Sequence, residues 1–466
     1  MIMHVTRRRG RPLLRQQQRS QSKSKAFFIT VIVAVCSSLI AFYYFALTVV
    51  LFSYPVPNDS SLPSLKMAGK IDEGEQNVSD YAGWRQLVVN LARLPPASLL
   101  QTLQTEDPFG VREMEQKILQ AEENLDASGG NALNNPRLLE GLFSCPTDRI
   151  TLPDQRNHTL AAQLRRQLAD AQTIPTDNSS MAFIFFQHLR KAGGTNFCTL
   201  AQANLPTAHV PSYYCMPDYY WKRKDSKGSH RPQACAGCLQ QWSNEEILSN
   251  MRGRSHWIAG NEWDRFDATR YFELPAVFVT SFRRPLHRAL SQFRFECVED
   301  RGCKYKNITA WWEHRRDLYN VYTATFSDTP RMGRLALSQS SKDMEQGAQA
   351  LGNALDTLLR YHLVLNMEWL AYAGKLVQSV LGFRDTSVLT RRVRPLISQH
   401  ARQDGQDHNS GARGIAKASW LPEDYLSPQQ YLVMSENLAL DELLTDAAQR
   451  IFLERVVCHM DDHERR

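Results

Sequence analysis

An uncharged segment near the N-terminus is the feature that most limits how this chain can fold. Residues Ala26 to Phe52 form a run of 27 residues without Asp, Glu, Lys or Arg, whereas about 20 helical residues suffice to cross the hydrocarbon core of a bilayer. A cleavable signal peptide is the alternative, but its apolar region is usually about 7 to 15 residues long. Tyr43 and Tyr44 are also unlike a small-residue cleavage site. The segment therefore predicts a transmembrane anchor over residues 26–52.

The excess positive charge of the chain is concentrated before this segment. The protein has 55 Lys and Arg against 48 Asp and Glu, and eight of the basic residues lie in the first 25 positions, which contain no acidic residue. Because positively charged flanks stay in the cytoplasm, we expect residues 1–25 to be a cytoplasmic tail and the chain after Phe52 to be lumenal. The other 47 basic residues balance the 48 acidic ones. The body of the protein therefore gives no indication of nucleic-acid binding.

Sequons and cysteines fit a lumenal location. Eight of the nine cysteines follow the uncharged segment, an even number that allows all of them to pair. Cys235 and Cys238 resemble half of a zinc site, but no second half follows, and we favour disulfides. Cys297 and Cys303 are the best local pair, because the five residues between them can form a compact loop. Five Asn-x-Ser/Thr acceptors of N-glycosylation begin at Asn58, Asn77, Asn157, Asn178 and Asn307.

The character of the lumenal part changes at Met181. Residues 53–176 are rich in turn formers, including Pro95 and Pro96, and predict a stem. Within it, Val111 to Leu125 combines helical periodicity with many charges, so we expect a solvated helix or short coiled coil rather than part of a core. Residues 177–466 are predicted to be the catalytic domain.

Beyond Met181, apolar runs alternate with helical segments. Ala182–Phe186, Ala276–Phe282 and His362–Leu365 are short apolar runs typical of strands buried on both faces of a parallel sheet. A helical segment follows each run, the third of them from Met367 to Leu381, and Pro285 suits the first turn of the second one. The alternation predicts an α/β doubly wound parallel sheet that binds ligands at the carboxyl ends of its strands.

The loop after the first predicted strand has the composition of an anion-binding site. The segment His188-Leu-Arg-Lys-Ala-Gly-Gly-Thr195 places a lysine, two glycines and a hydroxyl between a strand and a helix. Glycines let backbone N–H groups approach an anion, the helix dipole favours negative charge, and Lys191 adds a mobile cation. A nucleoside-triphosphatase loop has the order Gly-x-x-x-x-Gly-Lys-Ser/Thr. Because the lysine here precedes the glycine pair, ATP or GTP hydrolysis is not indicated.

Two segments resemble the signatures of the membrane-bound polysaccharide O-sulfotransferases, especially the heparan sulfate 2-O- and 6-O-sulfotransferase group. Phe185 to Phe197 is similar to the first signature, a strand followed by His-Ile-Pro-Lys-Thr-Gly-Gly-Thr. Val279 to Ser291 is similar to the second, a strand followed by Arg-x-Pro-x-x-Arg-x-x-Ser, and Asn437 to Phe452 looks like the last helix of the family. The resemblance covers roughly Met181 to Val457, and both loops occur in the family's order.

The resemblance implies a fold and an activity. The fold is α/β, a P-loop-like doubly wound parallel sheet with flanking helices, preceded by a transmembrane helix and a stem. The activity is that of a single-pass type II Golgi enzyme that moves a sulfuryl group from 3′-phosphoadenosine 5′-phosphosulfate to a hydroxyl of a polysaccharide or glycan. This co-substrate is the donor, and no metal is required.

The same resemblance implies which residues hold the donor. Arg283 and Ser291, eight positions apart, would grip the 3′-phosphate. Lys191 would stabilise the charge that builds on the leaving group. Arg284 and Arg288 are either helpers or solvated helix charges. The residues that would hold the 5′-phosphosulfate are Lys191, Ala192, Gly193, Gly194, Thr195 and Asn196.

The general base is where the chain departs from the family. Relatives carry a catalytic histidine after the strand between the two signatures, and Asn261 stands at that position here. The neighbouring Glu262 is the predicted base, because other sulfotransferases of the same fold use glutamate. His256 and His188 are the alternatives. In the first signature, the family's Pro and Thr are replaced by Arg190 and Ala192.

Two other functions share this topology. A type II Golgi glycosyltransferase often holds its metal with Asp-x-Asp, and no two aspartates of this chain are separated by one residue. A non-catalytic lumenal binding protein with a degenerate sulfotransferase fold is suggested by the missing histidine alone. Basic clusters such as Lys222-Arg-Lys224 allow a groove for an acidic polysaccharide.

Overall fold

The structure, a computed structural model, describes eleven stretches of the chain. The predicted cytoplasmic tail and anchor lie outside them, and none of the helices within them is long and apolar enough to cross a membrane. All eleven stretches belong to one compact unit, Asn77–Arg466. They are residues 81–126, 155–169, 181–211, 214–217, 221–224, 230–232, 237–299, 303–305, 307–329, 340–390 and 421–458.

A four-stranded parallel sheet forms the centre of this unit. The strands in chain order are β1 (Phe183–Gln187), β2 (Lys222–Lys224), β3 (His230–Pro232), β4 (Ile258–Asn261), β5 (Ala276–Phe282) and β6 (Leu363–Asn366). The parallel sheet has the order β4-β1-β5-β6, and β2 pairs antiparallel with β3. Every residue of the four parallel strands is buried. Burial on both faces explains why these strands have apolar runs rather than alternating patterns.

Helices flank the sheet, so the predicted α/β class with a parallel sheet is confirmed. The helices before β1 are α1 (Tyr81–Ala92), α2 (Pro96–Glu106), α3 (Val111–Asp126) and α4 (Gln155–Ala169). Between β1 and β6 lie α5 (Gly194–Asn204), α6 (Asn244–Gly253), α7 (Ala268–Tyr271), α8 (Pro285–Phe293), α9 (Ile308–His314), α10 (Val321–Phe326) and α11 (Ser341–Leu359). After β6 come α12 (Gly374–Leu381), α13 (Ser387–Thr390), α14 (Pro422–Tyr425), α15 (Pro428–Glu436) and α16 (Ala439–Cys458).

The helix after β6 starts later than the sequence predicts. We expected it to begin at Met367, but α12 begins at Gly374, after a 3-10 turn at Leu370–Ala373. The reason is local, because the Asn366 side chain accepts the backbone N–H groups of Glu368 and Trp369. Such a turn competes with helical hydrogen bonding.

The strand order creates a crevice at the carboxyl edge of the sheet. The chain runs from β1 to β4 on one side and then returns past β1 to β5 on the other. The loop after β1 leads toward β4 and the loop after β5 leads toward β6, so the two loops diverge from each other. Open α/β sheets bind ligands in this kind of crevice, so the order brings the lysine–glycine loop and Arg283 to the same edge.

The helix at Val111–Asp126 corrects one expectation. We expected a solvated helix, yet Met114 and Ile118 of α3 are 2% and 1% exposed and belong to the same hydrophobic cluster as β1 and β5. Arg112 and Glu113 are exposed, and Leu119 is 48% exposed. The helix is therefore a part of the core, and exposed charges lie on its outer surface.

The neighbouring helices of the predicted stem pack in the same way. Trp84 of α1, Leu99 of α2 and Leu164 of α4 are in that cluster. Pro96 is at the first position of α2, where the missing N–H of proline does no harm, so this proline pair starts a helix instead of marking a linker. The described helices of residues 53–176 thus lie in the unit that contains the sheet.

A pair of adjacent substitutions tests the packing of α3. Ile118→Ala should destabilise the protein by about 2–5 kcal/mol, the usual range for a fully buried Ile. Leu119→Ala, one residue away and half exposed, should change the free energy of unfolding by about 0.5 kcal/mol or less. Urea unfolding followed by circular dichroism measures both. Equal, small effects would show that α3 does not contribute to the core.

Two disulfides cross-link the described residues. Cys297 and Cys303 are paired, with their α-carbons 4.5 Å apart, and the predicted local pair is confirmed. Cys198 of α5 is paired with Cys215, with a Cα distance of 5.6 Å. Cys238 is disulfide-bonded as well. This cysteine chemistry is typical of secreted or lumenal proteins.

Candidate functional site

A cleft of about 500 Å³ opens at the carboxyl edge of the sheet. The loops that follow all four parallel strands contribute to its lining. They supply residues from 188–196 after β1, 262–263 after β4, 283 after β5 and 367–368 after β6. The cleft therefore occupies the position that the sequence predicts for a ligand site.

The loop after β1 has a backbone that requires its glycines. Gly193 has φ 99°, and a Cβ on it would lie 2.1 Å from Sδ of Met367. A Cβ on Gly194 would lie 1.6 Å from Nε2 of His188. Lys191 also has a left-handed backbone, with φ 67°. The loop thus packs against His188 and the segment after β6, and only glycine fits at both positions.

This loop leads into the N-terminus of α5, which faces the cleft. Gly193 precedes the helix and provides no side-chain cap. Gly194, Thr195 and Asn196 of the first turn line the cleft. The first N–H groups of a helix have no acceptor within the helix, and the dipole adds partial positive charge there. The arrangement is therefore suited to an anion.

Ala192 contributes to the loop without lining the cleft. Its side chain is buried, and its carbonyl oxygen accepts a hydrogen bond of 2.5 Å from Oγ of Ser281 on β5. Arg190 stacks its guanidinium 4.4 Å from the ring centroid of Trp263, and its Nη1 lies 3.5 Å from Oε1 of Glu296. Although both residues differ from the family's signature, these contacts hold the loop in place.

Three of the predicted donor-site side chains face the same cleft. Lys191, Arg283 and Ser291 all line it. The Nζ atom of Lys191 lies 4.3 Å from the ring centroid of Phe295, and the carbonyl oxygen of Arg283 accepts a hydrogen bond from the Tyr322 hydroxyl. The cleft therefore carries the cations of Lys191 and Arg283 and the Ser291 hydroxyl in addition to the helix N-terminus.

Glu262 and His188 lie next to each other in the lining of the cleft. Oε1 of Glu262 lies 4.0 Å from Nε2 of His188, and the two side chains are only 12% and 8% exposed. Burial raises the pKa of Glu262 to about 7, although Arg190 and Lys191 act in the opposite direction. Burial, with Lys191 and Arg190, lowers the pKa of His188 to about 3. At neutral pH His188 is therefore neutral, and Glu262 can both accept and release a proton.

Asn261 and His256 lie outside the chemistry of the cleft. Asn261 is buried, donates to Oε1 of Gln187 over 2.9 Å and accepts from the N–H of Leu239. It therefore connects β4 to β1 and to a neighbouring loop. His256 precedes β4, at the amino end of the strand, and does not line the cleft. Of the three candidate bases, the structure brings Glu262 and His188 to the site but not His256.

Neither of the two other arginines of the second signature lines the cleft. Arg288 is 1% exposed, and its Nη2 donates to the carbonyl of Leu318. It is neither a solvated charge nor a donor-site residue. Arg284 lines a second cavity of about 960 Å³, together with the α16 carboxylates Glu442 and Asp446. Arg283 is therefore the arginine of this signature that faces the cleft.

Sequence reasoning missed several residues of the lining. Trp263, Tyr214, Phe295 and Met367 all face the cleft. Met367 directly follows β6, so the rule that ligands bind at the carboxyl ends of strands was sufficient to find it. Tyr214 carried no such signal, because it lies far from any strand end in the sequence.

The chemistry of the cleft is the basis for its interpretation. Comparisons with protein-family models, curated proteins and solved structures found no match for the chain. Within the described stretches, no group of three or more His, Cys, Asp or Glu side chains is arranged to hold a metal ion. The cleft combines a helix N-terminus suited to an anion, cationic side chains and a carboxyl group with a pKa near neutrality.

Proposed function

We propose that the protein is a sulfotransferase, which moves a sulfuryl group from 3′-phosphoadenosine 5′-phosphosulfate to a hydroxyl of a polysaccharide or glycan. The observation that carries the proposal is the meeting of the Lys191 loop, Arg283, Ser291 and Glu262 in one cleft. The sequence resemblance assigned these residues to one site although they come from three different strand ends. A P-loop-like, doubly wound sheet is the finer fold that this function implies.

The residues in the cleft fit a donor that is anionic at both ends. The N–H groups at the start of α5 and the Lys191 ammonium suit the 5′-phosphosulfate. Arg283 and Ser291 suit the 3′-phosphate, because a guanidinium can make two parallel hydrogen bonds to phosphate and the hydroxyl adds a third. Both ends of the donor would then have dedicated partners within one 500 Å³ cleft.

The transfer itself needs a base and a stabilised leaving group. The acceptor oxygen forms a bond to sulfur while the bond from sulfur to the 5′-phosphate oxygen breaks. Glu262 takes the proton of the acceptor hydroxyl, and the electron pair of the broken bond remains on the 5′-phosphate, giving adenosine 3′,5′-bisphosphate. Lys191 stabilises the negative charge that develops on that oxygen. His188, uncharged beside Glu262, leaves the carboxylate free to act as base.

The position of Glu262 also favours catalysis over simple binding. A lumenal binding protein has no need of a buried carboxyl group beside an anion site, where its charge repels the ligand. Burial that raises the pKa of Glu262 to about 7 is instead suited to proton abstraction at neutral pH.

We further propose that the enzyme is a single-pass type II protein of the Golgi membrane with its catalytic unit in the lumen. The two described disulfides support this location, because they form and persist in oxidising compartments. Asn307, which begins one of the sequons, is exposed at the start of α9 and is accessible to glycosylation.

Binding of the donor product provides the first test. Adenosine 3′,5′-bisphosphate should raise the melting temperature of the full-length protein without added metal, by an amount equivalent to about 2.7 kcal/mol at a concentration 100 times the dissociation constant. ATP should raise the melting temperature far less, since its phosphates are all attached at the 5′ position and it has no 3′-phosphate. Equal shifts with both nucleotides, or a requirement for magnesium, would contradict the proposal.

A second test examines whether Arg283 binds the 3′-phosphate. Arg283→Ala should weaken binding of the bisphosphate by about 1.5–3 kcal/mol, the usual loss for a hydrogen bond to a charged group. The loss should disappear for adenosine 5′-monophosphate, which has no 3′-phosphate. Arg360, exposed at the amino end of β6, provides the matched control, and Arg360→Ala should bind both nucleotides normally. Isothermal calorimetry measures the affinities of both nucleotides for the wild type and the two variants.

A further inference from the structure

One tryptophan of the protein differs from the others in its exposure. Seven of the eight tryptophans that the structure describes are buried. Trp263 is 51% exposed, and it lies at the cleft, directly after Glu262. Tyr214, also on the lining of the cleft, is 44% exposed. Large exposed aromatic side chains are unfavourable in water, and grouped at a cleft they mark a surface that binds a ligand.

The backbone around Trp263 is anchored. The N–H groups of Glu262 and Trp263 both donate to the carbonyl of Gly237, over 2.9 and 3.4 Å. The Arg190 guanidinium stacks 4.4 Å from the indole centroid. A stacked cation covers one face of the ring, and half of the residue's surface remains accessible beside the base. The indole is thus held in a fixed orientation and still offers a flat apolar surface.

The backbone at Tyr214 is held in place through two contacts of the next residue, Cys215. Tyr214 and Cys215 both have left-handed backbones, with φ 50° and 58°. Non-glycine residues persist in this conformation only where the surroundings enforce it. Here Cys215 is bonded to Cys198 of the anion-binding helix α5, and its carbonyl accepts the N–H of Gly260 on β4 over 2.8 Å. The disulfide therefore fixes Tyr214 relative to the helix that holds the donor.

We propose that Trp263 and Tyr214 form the acceptor subsite, in which a pyranose ring packs its C–H face on the aromatic side chains and presents a hydroxyl to Glu262. This inference rests on the proposed sulfuryl transfer and adds the residues that select a sugar. The partial exposure of both rings argues for a sugar within a chain, because a small phenol or steroid is usually enclosed by an apolar pocket. A saccharide keeps its other face and its neighbouring units in water.

Collisional quenching by acrylamide tests the subsite without any transfer reaction. The probes are oligosaccharides of unsulfated heparosan, chondroitin and chitin, added to the full-length protein saturated with adenosine 3′,5′-bisphosphate. At least one of them should reduce the quenching of tryptophan fluorescence, because it covers Trp263. Trp263→Phe should retain binding of the bisphosphate and lose this protection, since the reporting indole is absent.

Steady-state kinetics with the saccharide that gives protection separates binding from chemistry. Trp263→Ala and Tyr214→Ala should each raise KM for the saccharide by roughly tenfold, the effect of losing about 1.4 kcal/mol at an aromatic anchor. KM for the donor should stay within about twofold of the wild-type value, and Trp263→Phe should recover most of the loss. Tyr431→Ala, an exposed tyrosine on α15 outside this cleft, is the matched control and should behave as wild type.

The outcomes distinguish the two proposals. If the bisphosphate does not bind, the sulfotransferase assignment fails, and the subsite fails with it. If the bisphosphate binds but no saccharide protects the fluorescence, or Trp263→Ala keeps a normal KM, the sulfotransferase assignment stands and the aromatic subsite is overturned. An acceptor that is a small phenol, sulfated with unchanged KM by Trp263→Ala, would also overturn it.

Discussion

Lys191→Ala is expected to lower the turnover of sulfuryl transfer by about 10²–10³-fold, the usual loss when one group that stabilises transition-state charge is removed. The Lys191 ammonium lines the cleft beside the start of α5, and its backbone is fixed in a left-handed conformation. Alanine retains the Cβ, so the loop should keep its shape while the charge is lost. Initial rates with labelled donor and a saccharide acceptor measure the effect.

Comparison with Arg283→Ala and with a surface lysine makes this test specific. Lys191→Ala should reduce turnover more than it reduces affinity for the bisphosphate, whereas Arg283→Ala should mainly reduce affinity. Lys375, exposed on α12 and absent from the cleft lining, supplies the control, and Lys375→Ala should be fully active. Normal turnover in Lys191→Ala would show that Lys191 does not stabilise the leaving group, and the assignment of the donor site to this cleft would then fail.

The sequence was sufficient to predict the elements that position the donor loops. The structure has a strand at Ala276–Phe282, the residues that the apolar run indicated, and Pro285 begins α8. Both signals are local. A strand buried on both faces of a parallel sheet must be apolar throughout, and a proline at the first position of a helix sacrifices no hydrogen bond.

Long-range packing explains why the helices before the sheet were misjudged. A helix with many charges and few apolar residues, such as α3, looks solvated when it is considered alone. Met114 and Ile118 nevertheless make a narrow apolar stripe, and the main core covers it. Whether such a stripe is buried depends on a partner surface that lies far away in the sequence, so periodicity alone did not decide it.

The choice of base depended on geometry in the same way. In the sequence, His256 lies two positions before β4 and Glu262 directly follows it, so both are close to a strand end. A strand of four residues at about 3.3 Å each separates its ends by roughly 13 Å, and only the carboxyl end faces the cleft. The burial that raises the pKa of Glu262 comes from surrounding elements, which composition near position 262 does not reveal.

Glu262→Gln is the sharpest test of the mechanism. The amide keeps the shape of the side chain and cannot accept the acceptor's proton, so turnover should fall by roughly 10²-fold or more. In the wild-type protein, turnover should decrease as the pH falls through the Glu262 pKa of about 7, because the base becomes protonated. A bound donor adds negative charge nearby and moves this limb to higher pH. The variant should lack the limb, and its affinity for adenosine 3′,5′-bisphosphate should be nearly unchanged.

Stability gives the same test a readout that is independent of activity. The folded-state pKa of Glu262 lies above its ordinary value of 4.5, so between about pH 4.5 and 7 the native state binds more protons than the unfolded state. The free energy of unfolding therefore decreases as pH rises through this window. Glu262→Gln should escape this loss, and its melting temperature should exceed that of the wild type increasingly up to about pH 7. His188 is present in both proteins, so its own titration largely cancels in the difference.

If Glu262→Gln turns over normally while His188→Ala is inactive, the histidine is the base. If His256→Ala is the inactive variant, His256 is the base. Its place at the amino end of β4 does not allow this, and the site must then be reassigned.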